Sequence, residues 1–228
     1  IFIKELIEDQ FRHHGLEVLF KAKPIEGVAG NGEHTHLGLS VKLKNNKNIN
    51  LFSPFDMKKD YLSEIGYGAL MGILKNYEVI NPIISATNDA FNRLKPGFEA
   101  PVCIVTSLGG TKESPSRNRS VLIGVIRDIN NKNATRFELR SPNPYSNTYL
   151  VMASCYQGML DGIVSVTSAE MDCQMLEKEI SKKYGEEAVY LEKFREYRSE
   201  RDVFEYYTQE ERDKLYGNAP STVWENIS

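Results

Sequence analysis

His34-Thr35-His36 is the sharpest chemical feature of this sequence. On an extended strand residues i and i+2 project to one face, so both imidazoles can address one ion or phosphate. Gly30 and Gly32 precede them and let a ligand come close to the backbone. The same spacing also fits a pair of surface histidines on an edge strand. A second cluster, Arg136-Phe137-Glu138-Leu139-Arg140, places Arg136, Glu138 and Arg140 on one face and Phe137 and Leu139 on the other. With the apolar pair turned to a core, the charged trio faces a cleft or solvent. A carboxylate between guanidinium groups suits a site that takes a metal and anions together, and equally an ion-pair ladder on a solvated sheet. Arg117 and Arg119 repeat the i, i+2 spacing at the start of another strand. Glu99 sits between Pro96-Gly97 and Pro101, a loop that suits a positioned base, a lid or a plain connector. His13 and His14 adjoin on a helix and cannot share a face.

Taken together, these residues put imidazoles, carboxylates and arginines on neighbouring strands of one sheet. Phosphoryl transfer needs that combination, because its catalysis is positioning plus neutralisation of developing charge. The sequence has no Gly-x-x-x-x-Gly-Lys-Ser/Thr loop and no protein-kinase signature, so a nucleotide would have to lie on the sheet itself.

The elements that must hold these residues follow from periodicity and punctuation. Residues 1–14 form a short amphipathic helix stopped at Gly15, and 16–23 a strand stopped by Pro24. A glycine-rich turn at 27–32 leads to a strand over 34–43, then a loop over 44–50. Residues 61–84 have the length and stripe of a mostly buried helix that Pro82 kinks or splits. Strands are expected over 101–107, 119–127 and 135–140, the last two as an antiparallel hairpin, with a polar loop at 108–116. Residues 149–164 read as a buried helix, and 170–216 as charged helix with breaks near Gly185 and Thr208. Strands first and helices after argue for an α+β fold with a mainly antiparallel sheet.

The bulk properties agree with a soluble, core-forming chain. It has 228 residues, 41% of them hydrophobic and 26% charged, and 28 Lys+Arg against 31 Asp+Glu give a net charge of −3. That balance leaves no electrostatic footprint for nucleic acid, and no apolar run approaches the roughly 20 residues of a membrane span. Cys103, Cys155 and Cys173 form neither a disulfide framework nor a zinc pattern, and are expected as buried thiols in a reducing compartment, the cytoplasm.

The ordered motifs resemble the catalytic domain of glutamine synthetase. They are Lys23-Pro24, the run from Gly30 to His36, the run from Arg93 to Pro101, Asn118-Arg119-Ser120, the run from Arg136 to Pro142, Asn147 to Leu150 and Gly158 to Ile163. The likeness spans about residues 20–165. It implies a curved, mainly antiparallel sheet backed by helices, of the glutamine synthetase/guanidino-kinase type. Residues 1–165 would form the catalytic sheet and helices, and 166–228 a charged helical segment of the same domain. It also implies ATP-dependent ligation of glutamate and ammonia through γ-glutamyl phosphate, with Mg²⁺ or Mn²⁺. By the same resemblance His34 and Glu138 are metal ligands and His36 and Arg136 touch ATP. Arg119 lies on the transferring phosphoryl group, Gly30, Arg93 and Arg140 hold glutamate, and Glu99 closes the ammonia site and takes its proton. The family's hydroxyl two places after the second histidine is Gly38 here, and its arginine five places after Arg119 is Gly124, with Arg127 expected on the opposite face.

The family assembles into homo-oligomeric rings with active sites between subunits, and most of its metal-binding glutamates precede the glycine-rich turn. With Ile1 as the first residue, the chain therefore reads as the C-terminal part of a longer enzyme with half an active site. A relative joining glutamate to a polyamine or another amine, and a non-catalytic scaffold of the same fold, are the alternatives. A mononuclear hydrolase built on His34 and His36 is a distant third, since only His13 and His14 remain as further imidazoles.

Overall fold

The computed structural model describes residues 2–97, 101–217 and 222–227. At its centre lies a small mixed sheet of short strands, β1 (Thr35–Leu37), β4 (Thr106–Ser107), β5 (Ile123–Ile126) and β6 (Arg136–Leu139). Their order is β1-β6-β5-β4, antiparallel except for the parallel β5/β4 pair. The alternation read in 136–140 is realised: Phe137 and Leu139 are buried with Leu37, Ile123 and Val125 on the core face, while Arg136 and Glu138 stand on the other. Phe52 stacks on Phe137 with ring centroids 4.4 Å apart. The expected hairpin of β5 and β6 is present, joined through a 3-10 turn, Lys132–Ala134, in which the Asn133 amide donates to Asn131 Oδ1.

Several local expectations are corrected. The strand over 34–43 is broken at Gly38 and Leu39 into β1 and β2 (Ser40–Lys42), and part of the expected loop is β3 (Asn48–Asn50), paired antiparallel with β2. Residues 16–23 do not form a strand. At the end of the stretch the backbone is taken by a side chain instead: Ala22 N and Lys23 N donate to the Asp89 carboxylate, at 2.5 and 3.3 Å. The β5 strand starts only at Ile123, so Arg119 lies ahead of it in an irregular segment.

Helix α1 (Phe2–Arg12) leads the chain and ends before Gly15, which takes φ +70°. The long buried helix over 61–84 is two helices, α2 (Glu64–Lys75) and α3 (Tyr77–Ile84). The break falls at Asn76 and not at Pro82, which lies inside α3. Asn76 holds the break by donating from its side chain to Gly72 O and Asp161 Oδ2. Helix α5 (Thr148–Ser168), capped by Asn147, packs along α2. Gly68 and Gly72 on α2 meet Gly158 and Gly162 on α5, so the two backbones touch: a Cβ on Gly162 would lie 2.0 Å from Gly68 O, and one on Gly72 2.1 Å from Gly158 O. This close approach brings Leu70, Ile73 and Leu74 into one core with Val151, Cys155 and Met159. Each such side chain contributes roughly 1.5–3 kcal/mol by leaving water.

The tail is less helical than its charge pattern implied. Helix α6 (Cys173–Ile180) ends early, and 181–202 are irregular before the short α7 (Val203–Tyr206) and α8 (Gln209–Tyr216). The reason is again side chains bonded to backbone. Buried Glu179 accepts from the amides of Val189, Tyr190 and Leu191, and buried Lys182 donates to the carbonyls of Lys193 and Arg195. The break near Thr208 is real, since Thr208 and Glu211 form a capping box. Helix α9 (Val223–Ile227) ends the described chain.

Candidate functional site

Register places the chemistry on the sheet face opposite the core. His36 on β1 faces Glu138 on β6, which faces Gly124 on β5. His34, just ahead of β1, reaches diagonally to Glu138, its Nδ1 lying 2.8 Å from Oε1. A carboxylate only accepts, so Nδ1 carries the proton and Nε2 keeps its lone pair. Burial lowers the His34 pKa against the raising hydrogen bond to Glu138, and the charges of Arg140 and Arg93 lower it further. The imidazole is therefore held in the neutral, ligand-competent form. Gly124 puts no side chain against Glu138, where a Cβ would be in van der Waals contact with Oε2 at 3.7 Å.

One end of this face is built for anions and aromatic or amide ligands. Arg136 donates from Nε to His36 Nδ1 at 2.9 Å, so that ring nitrogen is the acceptor in the pair. Both line a groove of about 440 Å³ whose other walls include Asn48, Asn50, Asn133 and Thr135. Asn50 fixes the wall by donating to Thr135 O at 2.7 Å.

The other end gathers Arg140, Arg93 and the glycine loop. Arg140 follows β6 and is 6% exposed; its amide donates to Leu122 O. Arg93, at the end of α4 (Asn88–Arg93), is equally buried and donates from NH1 to Ser141 O at 2.9 Å and from NH2 to Arg140 O at 3.0 Å. Burial lowers its pKa to about 10, and the Arg140 charge acts the same way. Gly30 and Gly32 lie against Arg93, since Cβ atoms there would come within 3.0 Å of its side chain. Glu33 locks the loop, its amide donating to Pro142 O and its carboxylate accepting from Lys4 and Thr148. Among the described residues no cluster of three or more His, Cys, Asp or Glu could hold a metal alone.

The family model for the glutamine synthetase catalytic domain matches residues 1–192, most of the chain. The chain belongs to the glutamine synthetase family. It is 35% identical over 160 residues to the glutamine synthetase of Clostridium saccharobutylicum, covering 70% of this chain and 32% of that protein. It is 34% identical over 166 residues to that of Thermotoga maritima, covering 72% and 34%, and 34% identical over 160 residues to that of Escherichia coli, covering 70% and 31%. The chain thus spans about a third of the length of these curated relatives.

Against the glutamine synthetase pattern, the structure brings His34, His36, Arg136, Glu138, Arg140, Arg93 and Gly30 onto one face and its end. Arg119 lies in the exposed stretch that leads into β5, and Glu99 falls outside the described residues. Arg127 does not replace the arginine missing at 124. It is buried and donates to the carbonyls of Lys112, Met57 and Asp60, away from the site face. The sequence reading missed Asp89, which anchors residues 22–23 behind the glycine loop, and the bare backbone that Gly124 sets beside Glu138. Asp89 carried only the ordinary signal of an acid in a first helical turn.

Arg93 also braces the site backbone. Arg93→Met is expected to lower stability by about 2–3 kcal/mol, because the buried carbonyls of Arg140 and Ser141 lose their donor. Urea unfolding checks this, and an unchanged midpoint would refute it.

Proposed function

We propose that this chain supplies the C-terminal half of the active site of a glutamate–ammonia ligase that forms glutamine through γ-glutamyl phosphate. Residues 1–165 contribute the sheet and its helices, and 166–228 are a segment of the same domain. The observation that carries this reading is one continuous face: a groove with His36 and Arg136 at one end, the His34–Glu138 pair in the middle, and Arg140 with Arg93 and Gly30 at the other. ATP lies at the groove end with its phosphates toward Glu138, and glutamate at the Arg140 end with its γ-carboxylate toward the terminal phosphate.

Each residue has a definite task in that arrangement. Arg140 and Arg93 neutralise glutamate's carboxylates, and the bare backbone at Gly30 admits its amino end. Arg119 stabilises the charge that builds on the transferring phosphoryl group. Glu99 attracts ammonium and accepts its proton before nitrogen attacks.

The residues present fit a divalent ion. An imidazole nitrogen and a carboxylate oxygen suit Mg²⁺ or Mn²⁺: with Nδ1 of His34 donating to Oε1 of Glu138, the Nε2 lone pair and the second carboxylate oxygen are left to bind. When bound, such an ion neutralises and orients the nucleotide phosphates. His34 and Glu138 would hold it together with ligands from outside this chain, since the described residues offer no third His, Cys, Asp or Glu beside them.

The test is phosphate release from ATP by the complete enzyme containing this chain. We expect release only when glutamate and ammonium are both supplied, with glutamine as product. Release driven only by another amine would reassign the acceptor, and none with any amine would overturn the reading.

A further inference from the structure

The stretch that carries Arg119 is held by residues 199–203, which lie beyond the family match at 1–192. Ser107 on β4 pairs with Gly124, so it stands in the same cross-strand row as Gly124, Glu138 and His36. Ser107 Oγ donates to Glu200 and also bonds Ser116 Oγ at 2.5 Å. The Glu200 carboxylate further accepts from Leu108 N at 3.1 Å, Gly109 N at 2.9 Å and Arg198 Nε at 2.7 Å. Burial alone would raise its pKa, but the bonds from Ser107, Arg198 and Gly109 hold it below the ordinary carboxylate range.

The same segment grips both neighbours of Arg119. Asn118 donates from Nδ2 to Ser199 O at 3.3 Å and Arg201 O at 2.8 Å, and its amide donates to Ser116 Oγ at 3.1 Å. Ser120 is buried, its hydroxyl donating to Asn118 Oδ1 at 2.7 Å and accepting from Val203 N at 2.9 Å. A long arginine side chain reaches a reacting group reproducibly only if its own backbone is fixed, since an error of about 1 Å can cost about 10²-fold in rate.

We infer that Glu200 and Asn118 are positioning residues that set where Arg119 projects, so that the tail beyond the family match tunes the chemical step. This rests on the proposed role of Arg119 in phosphoryl transfer. The network ties the entry and exit of the 108–116 loop to one rigid carboxylate, and the loop's Gly109 turn is pinned from a second side by Tyr61 OH and Arg198 NH2 on its carbonyl.

The experiment is a double-mutant cycle in the complete enzyme, using Glu200→Gln, Arg119→Ala and the pair, with amide hydrogen exchange alongside. Glu200→Gln is expected to lower kcat about 10- to 100-fold while KM for ATP and glutamate stays within about threefold. Exchange at the amides of 108, 109, 118 and 120 should accelerate. In the Arg119→Ala background the same substitution should change kcat less than about twofold, because the residue it positions is gone. Fully additive losses, or unchanged exchange at those amides, would overturn the inference while leaving Arg119 its role. Full kcat in Arg119→Ala would overturn both. Should Glu200→Gln fail to fold, Asn118→Ala, which removes the side-chain bonds to Ser199, Arg201 and Ser120, carries the same cycle.

Discussion

Glu138→Ala in the complete enzyme is expected to reduce glutamine formation by about 10³-fold or more and to weaken Mn²⁺ binding by at least about 10- to 100-fold. The carboxylate sits at the centre of the site face, bonded to His34 and flanked across the strands by His36 and Gly124. Its loss removes one of the two proposed metal ligands and also the group that fixes the His34 tautomer, leaving the imidazole free to turn. The fold should survive, because Phe137 and Leu139 on either side carry the packing and the Glu138 side chain is 25% exposed. Glu138→Gln separates charge from shape: its amide oxygen still accepts from His34, so stability should be unchanged while activity is lost almost as fully. Steady-state rates and calorimetric Mn²⁺ titration check both variants. Activity of Glu138→Ala within about tenfold of the parent would refute the assignment.

The largest loss of stability is expected from Gly162→Val, at about 3–5 kcal/mol. A Cβ at this position would lie 2.0 Å from Gly68 O and 2.7 Å from Gly72 N, and those are backbone atoms of a buried helix that no rotamer change can move. The helices would have to part, and the interlocked side chains of α2 and α5 would lose contacts along their whole crossing. A loss of this size is a large share of the 5–15 kcal/mol that typically stabilises a domain. Gly162→Ala should cost less, because alanine regains about 1 kcal/mol of helix propensity, yet it should still destabilise. Thermal unfolding reads both, and a Gly162→Val melting temperature within a few degrees of the parent would contradict the packing described.

The parts of this fold that were legible are those governed by local rules. The alternation in 136–140 decided which residues face the core, and the same alternation set Glu138 and the arginines on the site face. The motif order from Gly30 to Ile163 pointed to the family that the comparison then identified. What escaped was backbone held by distant side chains. Residues 16–23 have strand-like alternation, but Asp89, 66 residues away in sequence from Lys23, takes the amides of Ala22 and Lys23 at its end. Residues 181–202 look helical by composition, but Glu179 and Lys182 bond their backbone in irregular form. Pro82 was the obvious place for a break, yet a proline loses only one hydrogen bond within α3, while Asn76 supplies side-chain bonds that hold the actual break. The Glu200 network was invisible for the same reason, its partners Ser107, Leu108 and Gly109 lying more than 90 residues away in sequence.

The tail does one further thing at β4. Thr106 donates its amide to Tyr197 O and accepts from Ser199 N, and a parallel bridge joins Thr106 to Arg198. Those bonds cover the outer rim of β4, where a row of open amides and carbonyls would otherwise invite another chain to add a strand. A protein ending near residue 192 would keep the matched motifs but present that rim bare. Self-association through that rim would then accompany the loss of the Glu200 anchor.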